Sequence, residues 1–274
     1  MSLNFCVLAS GSSGNCSILW TENAAVLIDC GASAKYIEEN LALCGIEPKD
    51  LTAAVITHAH TDHISASGFN LLIKNNVPIY SHEEVLENIF DKFPDKSPQC
   101  DARAKNSGFR IKGITVESFD VYHRDAKISK TLGFTFTAEV CARKYKVGYA
   151  TDTGKVCENI VKKLSDSNIL VMESNYDKEM LDASPRPYEN KKWILSDFGH
   201  LSNESAASAI AEIKISSKAA DSLKYVFLAH LSEHHNYPEL ALKISKDVVE
   251  REKICGVNIF AAKRNKKSRA IKIA

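Results

Sequence analysis

With 274 residues, 45% of them hydrophobic, the chain is long enough for one large or two small domains around a sizeable core. The 35 lysines and arginines are balanced by 34 aspartates and glutamates, which excludes a global pull towards nucleic acid or an anionic membrane; any polyanion must be held by a local patch. No apolar run approaches the ~20 residues of a membrane span, and the opening MSLNFCVLASGSSGN has neither a basic leader nor a long apolar stretch, so a soluble cytoplasmic protein is expected.

In chain order, NFCVLAS, GSSGN, CSILW and AAVLIDCG alternate apolar runs with turn signals and predict a β-hairpin followed by a further strand. Residues 33–45 place Tyr36, Ile37, Leu41 and Cys44 at helical spacing, with Gly45 as the stop. LTAAVIT then predicts a buried strand. In SHEEVLENIF, Ser81 and Glu84 form a capping-box pattern, so a helix is expected to start there with His82 a surface residue of its first turn.

Residues 110–152 are β-rich, and NILVMES is an apolar run followed by a polar segment. The alanine-rich NESAASAIAEIKIS, a strand KYVFLAH, a helix near 237–251 and a last hairpin follow. The basic KRNKKSR (263–269) reads as the solvated turn of that hairpin in preference to a phosphate-binding patch. Strands and helices interspersed through both halves, with no long linker, predict one domain over 1–274 made of sheets packed face to face and covered by helices. Cysteines 6, 16, 30, 44, 100, 141, 157 and 255 form no C-x-x-C pair and are expected to be buried, reduced thiols.

The chemistry is concentrated in THAHTDH (57–63). His58-x-His60 suits an extended strand end, where alternate side chains share a side, rather than the i, i+4 spacing of a helical zinc motif. Asp62 and His63 follow after a turn and can approach the same place. That is more than a single tetrahedral ion with an open position usually takes from one loop, so two ions are expected. The remaining ligands must come from elsewhere, and His123, Asp152 and His230 each close an apolar run as the first cluster does.

The ordered set His58, His60, Asp62, His63, His123, Asp152 and His230 resembles the metallo-β-lactamase superfamily. LASGSSGN, LIDCG, THAHTDHI, ATDTG, MESNYD, GHLSN and LAHLS are similar to its WalJ/YycJ branch, over nearly the whole chain. The resemblance implies an α/β fold, the αββα four-layer sandwich, with the metal site at one edge of the two sheets. It implies that His58, His60 and His123 bind one divalent ion, that Asp62, His63 and His230 bind the other, and that Asp152 bridges them, giving Asp62 and Asp152 a catalytic part. Two such ions favour phosphodiester hydrolysis, because they acidify water and stabilise the attacking and leaving oxygens.

His200, in FGHLSNESAA, resembles the histidine preceding a helix in related tRNA 3′-processing nucleases and is expected to be a general acid or a phosphate contact. Ser12 and Ser13 in the SGSSGN turn are candidate phosphate contacts, and Asn175 with Glu173 a candidate site contact or support. Asp29 is expected to orient the histidine loop.

The branch implies 5′-to-3′ exonuclease action, on DNA more than RNA; the imidazole-rich donor set suits zinc, and the carboxylates Asp62 and Asp152 also admit manganese or iron. Arg143–Lys144, Lys162–Lys163, Lys191–Lys192 and 263–269 are the candidate basic patches. A small-molecule phosphodiesterase and a non-catalytic, metal-stabilised binding protein are the other readings. Two departures from the branch stand out: Arg124 separates His123 from Asp125-Ala126, and His234 with His235, expected at the surface, follows LAHLSE.

Overall fold

The computed structural model describes residues 2–126, 128–219 and 222–273. The hairpin and following strand form as β1 (Leu3–Ala9), β2 (Cys16–Trp20) and β3 (Ala25–Ile28). Helix α1 (Ala34–Ala42) begins where the Ser33 hydroxyl accepts the Tyr36 N–H, and Gly45 at φ +74° ends the turn that follows it. Next come β4 (Ala53–Val55), α2 (Ala66–Lys74), β5 (Ile79–Ser81), α3 (Glu83–Lys92) and β6 (Ala102–Ala104).

The second half contains β7 (Phe109–Ile111), β8 (Ile114–Asp120), β9 (Leu132–Val140), β10 (Arg143–Ala150), α4 (Glu158–Leu164) and β11 (Ile169–Glu173). It continues with α5 (Lys178–Ala183), α6 (Tyr188–Ile194), α7 (Asn203–Ile215), β12 (Tyr225–Ala229), α8 (Pro238–Arg251), β13 (Asn258–Ala261) and β14 (Ile271–Ile273).

Two seven-stranded mixed sheets result, ordered β14-β1-β2-β3-β4-β5-β6 and β13-β12-β11-β10-β9-β8-β7. Their inner faces share one core: Phe5 of β1 meets Phe227 of β12 with ring centroids 5.7 Å apart, and Ile169 and Val171 join the same cluster. The intervening Leu170 and Met172 point to the other face and pack with Ile160 of α4 and Ala206 and Ile210 of α7, the period-2 alternation of a strand covered on both sides. The architecture is the expected α/β sandwich.

Three local expectations are corrected. The last two strands are not a hairpin: β13 runs parallel to β12, whereas β14 pairs antiparallel with β1 in the other sheet. KRNKKSR is therefore a crossover, and burial of Ile271 and Ile273 against the otherwise open edge of β1 decides the pairing. The cap of α3 is His82 itself, whose Nδ1 accepts the Glu84 N–H at 3.3 Å; Ser81 lies in β5 and its hydroxyl donates to the Ile56 carbonyl. Finally, the polar stretch after β11 contains two short helices, α5 and α6. The cysteines are all free, but only Cys6, Cys16 and Cys30 are fully buried; Cys141 and Cys255 are exposed. Among the described residues no helix is long and apolar enough to cross a membrane.

Candidate metal centre

The predicted ligands meet where strands of both sheets end on the same edge. The loop after β4 carries His58 to His63, and Asp152, His230 and His123 follow β10, β12 and β8. Asp29, Asp152 and His230 have φ of +58°, +54° and +55°, left-handed values that side chains with a Cβ adopt only where surroundings compel them. Each turns its chain sharply off a strand end, so that the side chain faces the cluster instead of continuing the sheet.

The donor atoms form two groups whose members all lie within 4.8 Å of one another: His58, His60 and His123 in one, Asp62, His63 and His230 in the other. Asp152 meets the same limit with His58 and His63, and also with Glu173, His200 and His230. Within the cluster, His58 Nε2 lies 2.9 Å from His60 Nδ1, His63 Nε2 lies 3.0 Å from Asp152 Oδ2, and His230 Nε2 lies 3.2 Å from Asp62 Oδ2.

The nitrogen on the far side of each ring has a partner that sets its tautomer. His63 Nδ1–H donates to Asp29 Oδ2 at 2.7 Å, His123 Nδ1–H to the Gly199 carbonyl at 2.9 Å, and His230 Nδ1–H to Glu173 Oε1 at 2.9 Å. His60 Nε2–H donates to Asp125 Oδ2 at 3.1 Å. The Thr57 hydroxyl donates to Asp29 and lies 3.0 Å from His58 Nδ1, whose proton it can accept. These partners fix the outward protons, so the inward nitrogen of each ring is the one that can be given to a metal ion. His123 Nε2 is buried with no hydrogen bond, and Asp152 Oδ2 is buried with the His63 ring nitrogen beside it at 3.0 Å, an arrangement that suits a bound cation. The residues present fit divalent metal ions.

The two groups differ in charge. Burial pushes His58 well below the usual histidine range and His123 down to about 4, so both are neutral ligands. Burial also opposes charging of His63 and His230, but Asp152 and the neighbouring carboxylates outweigh it and lift His230 to about 10. Asp152 itself, which burial alone would protonate, is held well below its ordinary value by His230 and His63. The second group thus pairs charged histidines with Asp62 and Asp152 in the metal-free protein, and a divalent ion would take the place of the histidine protons.

Two glycines allow these approaches. A Cβ on Gly31 would lie 1.7 Å from the Asp62 carbonyl, where the β3 turn and the histidine loop are stapled by Cys30 N–H to the His63 carbonyl at 2.8 Å. One on Gly199 would lie 2.2 Å from the Trp193 carbonyl. Gly31→Ala is expected to displace Asp62 and His63 and cut turnover by about 10²-fold with loss of bound metal; full metal content and unchanged turnover would show that the loop has room to move.

Around the ligands, Glu173 is fully buried and accepts four hydrogen bonds, from His230, from His200 Nδ1 at 2.7 Å, and from the Thr153 and Leu201 N–H groups. His200 sits with its ring 4.9 Å from His123 and 5.2 Å from His230, edge-on to Trp193. Asn175 is buried, and its amide donates to the His230 carbonyl at 2.7 Å, which places it beneath the cluster. Ser12 and Ser13 are exposed at the tip of their turn, and the turn's link to the cluster is Asn15, 2.9 Å from His63 Nε2 and 3.2 Å from Asp62 Oδ2.

His234 is exposed, but His235 is buried: it receives Arg186 Nε on its ring and the Asp177 N–H on its carbonyl, and it joins neither ligand group. Asn15, Thr57 and Asp125 were not anticipated. Asp125 had a signal, because the Asp-Ala that follows the third histidine in the branch is present one position late.

The Beta-lactamase superfamily domain matches residues 24–220. Exodeoxyribonuclease YycJ of Bacillus anthracis is 34% identical over 260 residues, covering 94% of this chain and 92% of that protein. Exodeoxyribonuclease WalJ of Streptococcus pneumoniae is 33% identical over 242 residues, covering 86% and 84%. The crystal structure of the metallo-β-lactamase-fold protein YhfI from Bacillus subtilis superposes over the full length of both chains with a TM-score of 0.71 at 15% identity. Fold and donor set together define a metal-dependent hydrolase. The chain belongs to the metallo-β-lactamase superfamily, in the branch of the YycJ and WalJ exodeoxyribonucleases.

Proposed function

We propose that the protein is a single-domain, two-metal exonuclease that hydrolyses DNA from the 5′ end. The observation that carries this reading is the pair of donor groups sharing Asp152. In it, His58, His60 and His123 hold one divalent ion, Asp62, His63 and His230 the other, and Asp152 both. Zinc suits the imidazoles, and the carboxylates admit manganese or iron. Such ions, when bound, acidify water and stabilise negative charge on phosphoryl oxygens. DNA as substrate and the exonuclease mode are supported by the names of the two relatives, and the 5′ polarity by resemblance to their branch.

His200 supplies the proton. Its Nδ1–H is committed to Glu173, so Nε2 is the atom that delivers a proton to the departing sugar oxygen while water adds to phosphorus. His200→Asn is expected to keep its metal and lose about 10²- to 10⁴-fold in turnover; metal loss in that variant would make His200 a ligand instead.

The basic track is narrower than the sequence suggested. Arg143 and Lys144 open β10, roughly 30 Å of strand from Asp152 at its other end, and the Lys163 carbonyl accepts from Lys146 near that same far end. Lys191 and Lys192 lie on α6, which carries Trp193 against His123, and the Lys263 carbonyl accepts the Ser10 N–H beside His230. These latter two segments flank the cluster and are the ones that can hold phosphates.

The test is hydrolysis of end-labelled double-stranded DNA, single-stranded DNA and RNA with added manganese or zinc. Shortening of DNA from its 5′ end is the expected result, abolished by chelation. Cleavage of bis-p-nitrophenyl phosphate with no polymer degraded would leave a small-molecule phosphodiesterase.

A further inference from the structure

Beside His123 lies a cavity of about 410 Å³, within the ~300–1,000 Å³ range of ligand pockets, and His123 itself lines it with Tyr122, Arg124 and Phe198. The Arg124 guanidinium lies over the Phe198 ring, 4.0 Å from its centroid, and Phe198 packs on Tyr122 at 6.1 Å. Arg124 is exposed and makes no ion pair among the described residues, so the ring orders it rather than a carboxylate. The same stack is tied to the cluster, because His123 adjoins Arg124 and donates to the carbonyl of Gly199, next to Phe198.

The charge of the cavity narrows its occupant. Lys130 on its wall lies 3.1 Å from Asp120 and 3.6 Å from Glu84, which also line it. Two cations, Arg124 and Lys130, thus face two carboxylates. Such a balance does not select a phosphate; it suits a neutral planar group that stacks on a guanidinium plane.

We propose that this cavity holds a nucleobase flanking the scissile phosphate, stacked on the Arg124 guanidinium that Phe198 keeps in place. The inference rests on the nuclease reading and adds to it a stacking subsite indifferent to base identity. Arg124, the residue that departs from the branch pattern, is its platform.

The experiment compares kcat/KM on DNA strands carrying one abasic position at the first, second or third nucleotide from the attacked end. The wild type should lose roughly 5- to 150-fold at one of these positions, the worth of one stacked base. Arg124→Ala and Phe198→Leu should flatten that ratio. A purely structural fault in either variant would slow all strands alike and leave the ratio standing, which would overturn the proposal, as would a wild type indifferent to every abasic position. Absence of any DNA hydrolysis by the metal-loaded wild type would strike down the nuclease reading itself and remove the occupant with it.

Discussion

Asp152→Ala is expected to release metal from both donor groups at once and to lower hydrolysis of DNA and of bis-p-nitrophenyl phosphate together by about 10³-fold, near 4 kcal/mol of transition-state stabilisation. The reason is geometric. Among the described residues Asp152 is the one carboxylate grouped with members of both triplets, and its buried Oδ2 faces His63 Nε2 at 3.0 Å. A second effect appears in the metal-free protein, where His63 and His230 lose a buried counter-charge. Breaking such a pair costs about 3–5 kcal/mol, so the melting temperature of the metal-free variant should fall. Elemental analysis of the purified protein and thermal melting after chelation make the two measurements. Retained metal with turnover within a few fold of wild type would remove Asp152 from the bridging position.

Glu173→Ala is expected to weaken metal binding by about 10- to 100-fold although Glu173 belongs to neither triplet. Its carboxylate accepts from His230 and His200 and from two backbone N–H groups, and alanine would leave all four donors unmatched in a pocket without solvent. His230 loses its orientation, and His200 loses the bond that holds its Nδ1 proton and so leaves Nε2 as the free ring nitrogen. Glu173→Gln keeps an acceptor oxygen and the same volume, so it should retain more metal than the alanine variant while turnover stays depressed. Equal metal affinity in wild type and Glu173→Ala, measured by titration with a competing chelator, would show that His230 needs no such support.

How much of this was legible depended on whether the determining contact was local. The spacing His58-x-His60 marked a strand-end metal motif, and the apolar runs before His123, Asp152 and His230 marked three more strand ends. The continuous apolar runs in NILVMES and KYVFLAH located β11 and β12. The helices of the polar stretch after β11 were missed, because neither α5 nor α6 presents the long apolar stripe that periodicity detects; their packing comes from Leu181, Trp193 and Ile194 closing over Tyr176. The hairpin assigned to the last two strands failed for a related reason: pairing partners far apart in sequence are chosen by which sheet edge is left open, and β1 is more than 260 residues from β14.

The sequence by itself determined the donor chemistry, the strand and helix periodicities that build two sheets, and the membership in a metal-dependent hydrolase branch. Each of these is written in residue type and short-range spacing. Only the tertiary structure decided which nitrogen of each histidine faces inward, because that is set by Asp29, Thr57, Asp125, Glu173 and the Gly199 carbonyl, groups that mostly meet their rings across strand ends. It likewise decided that two basic pairs lie at the far end of β10 while α6 and the crossover flank the cluster. Charge composition is a sum over the chain, whereas a binding surface depends on which charges share an edge.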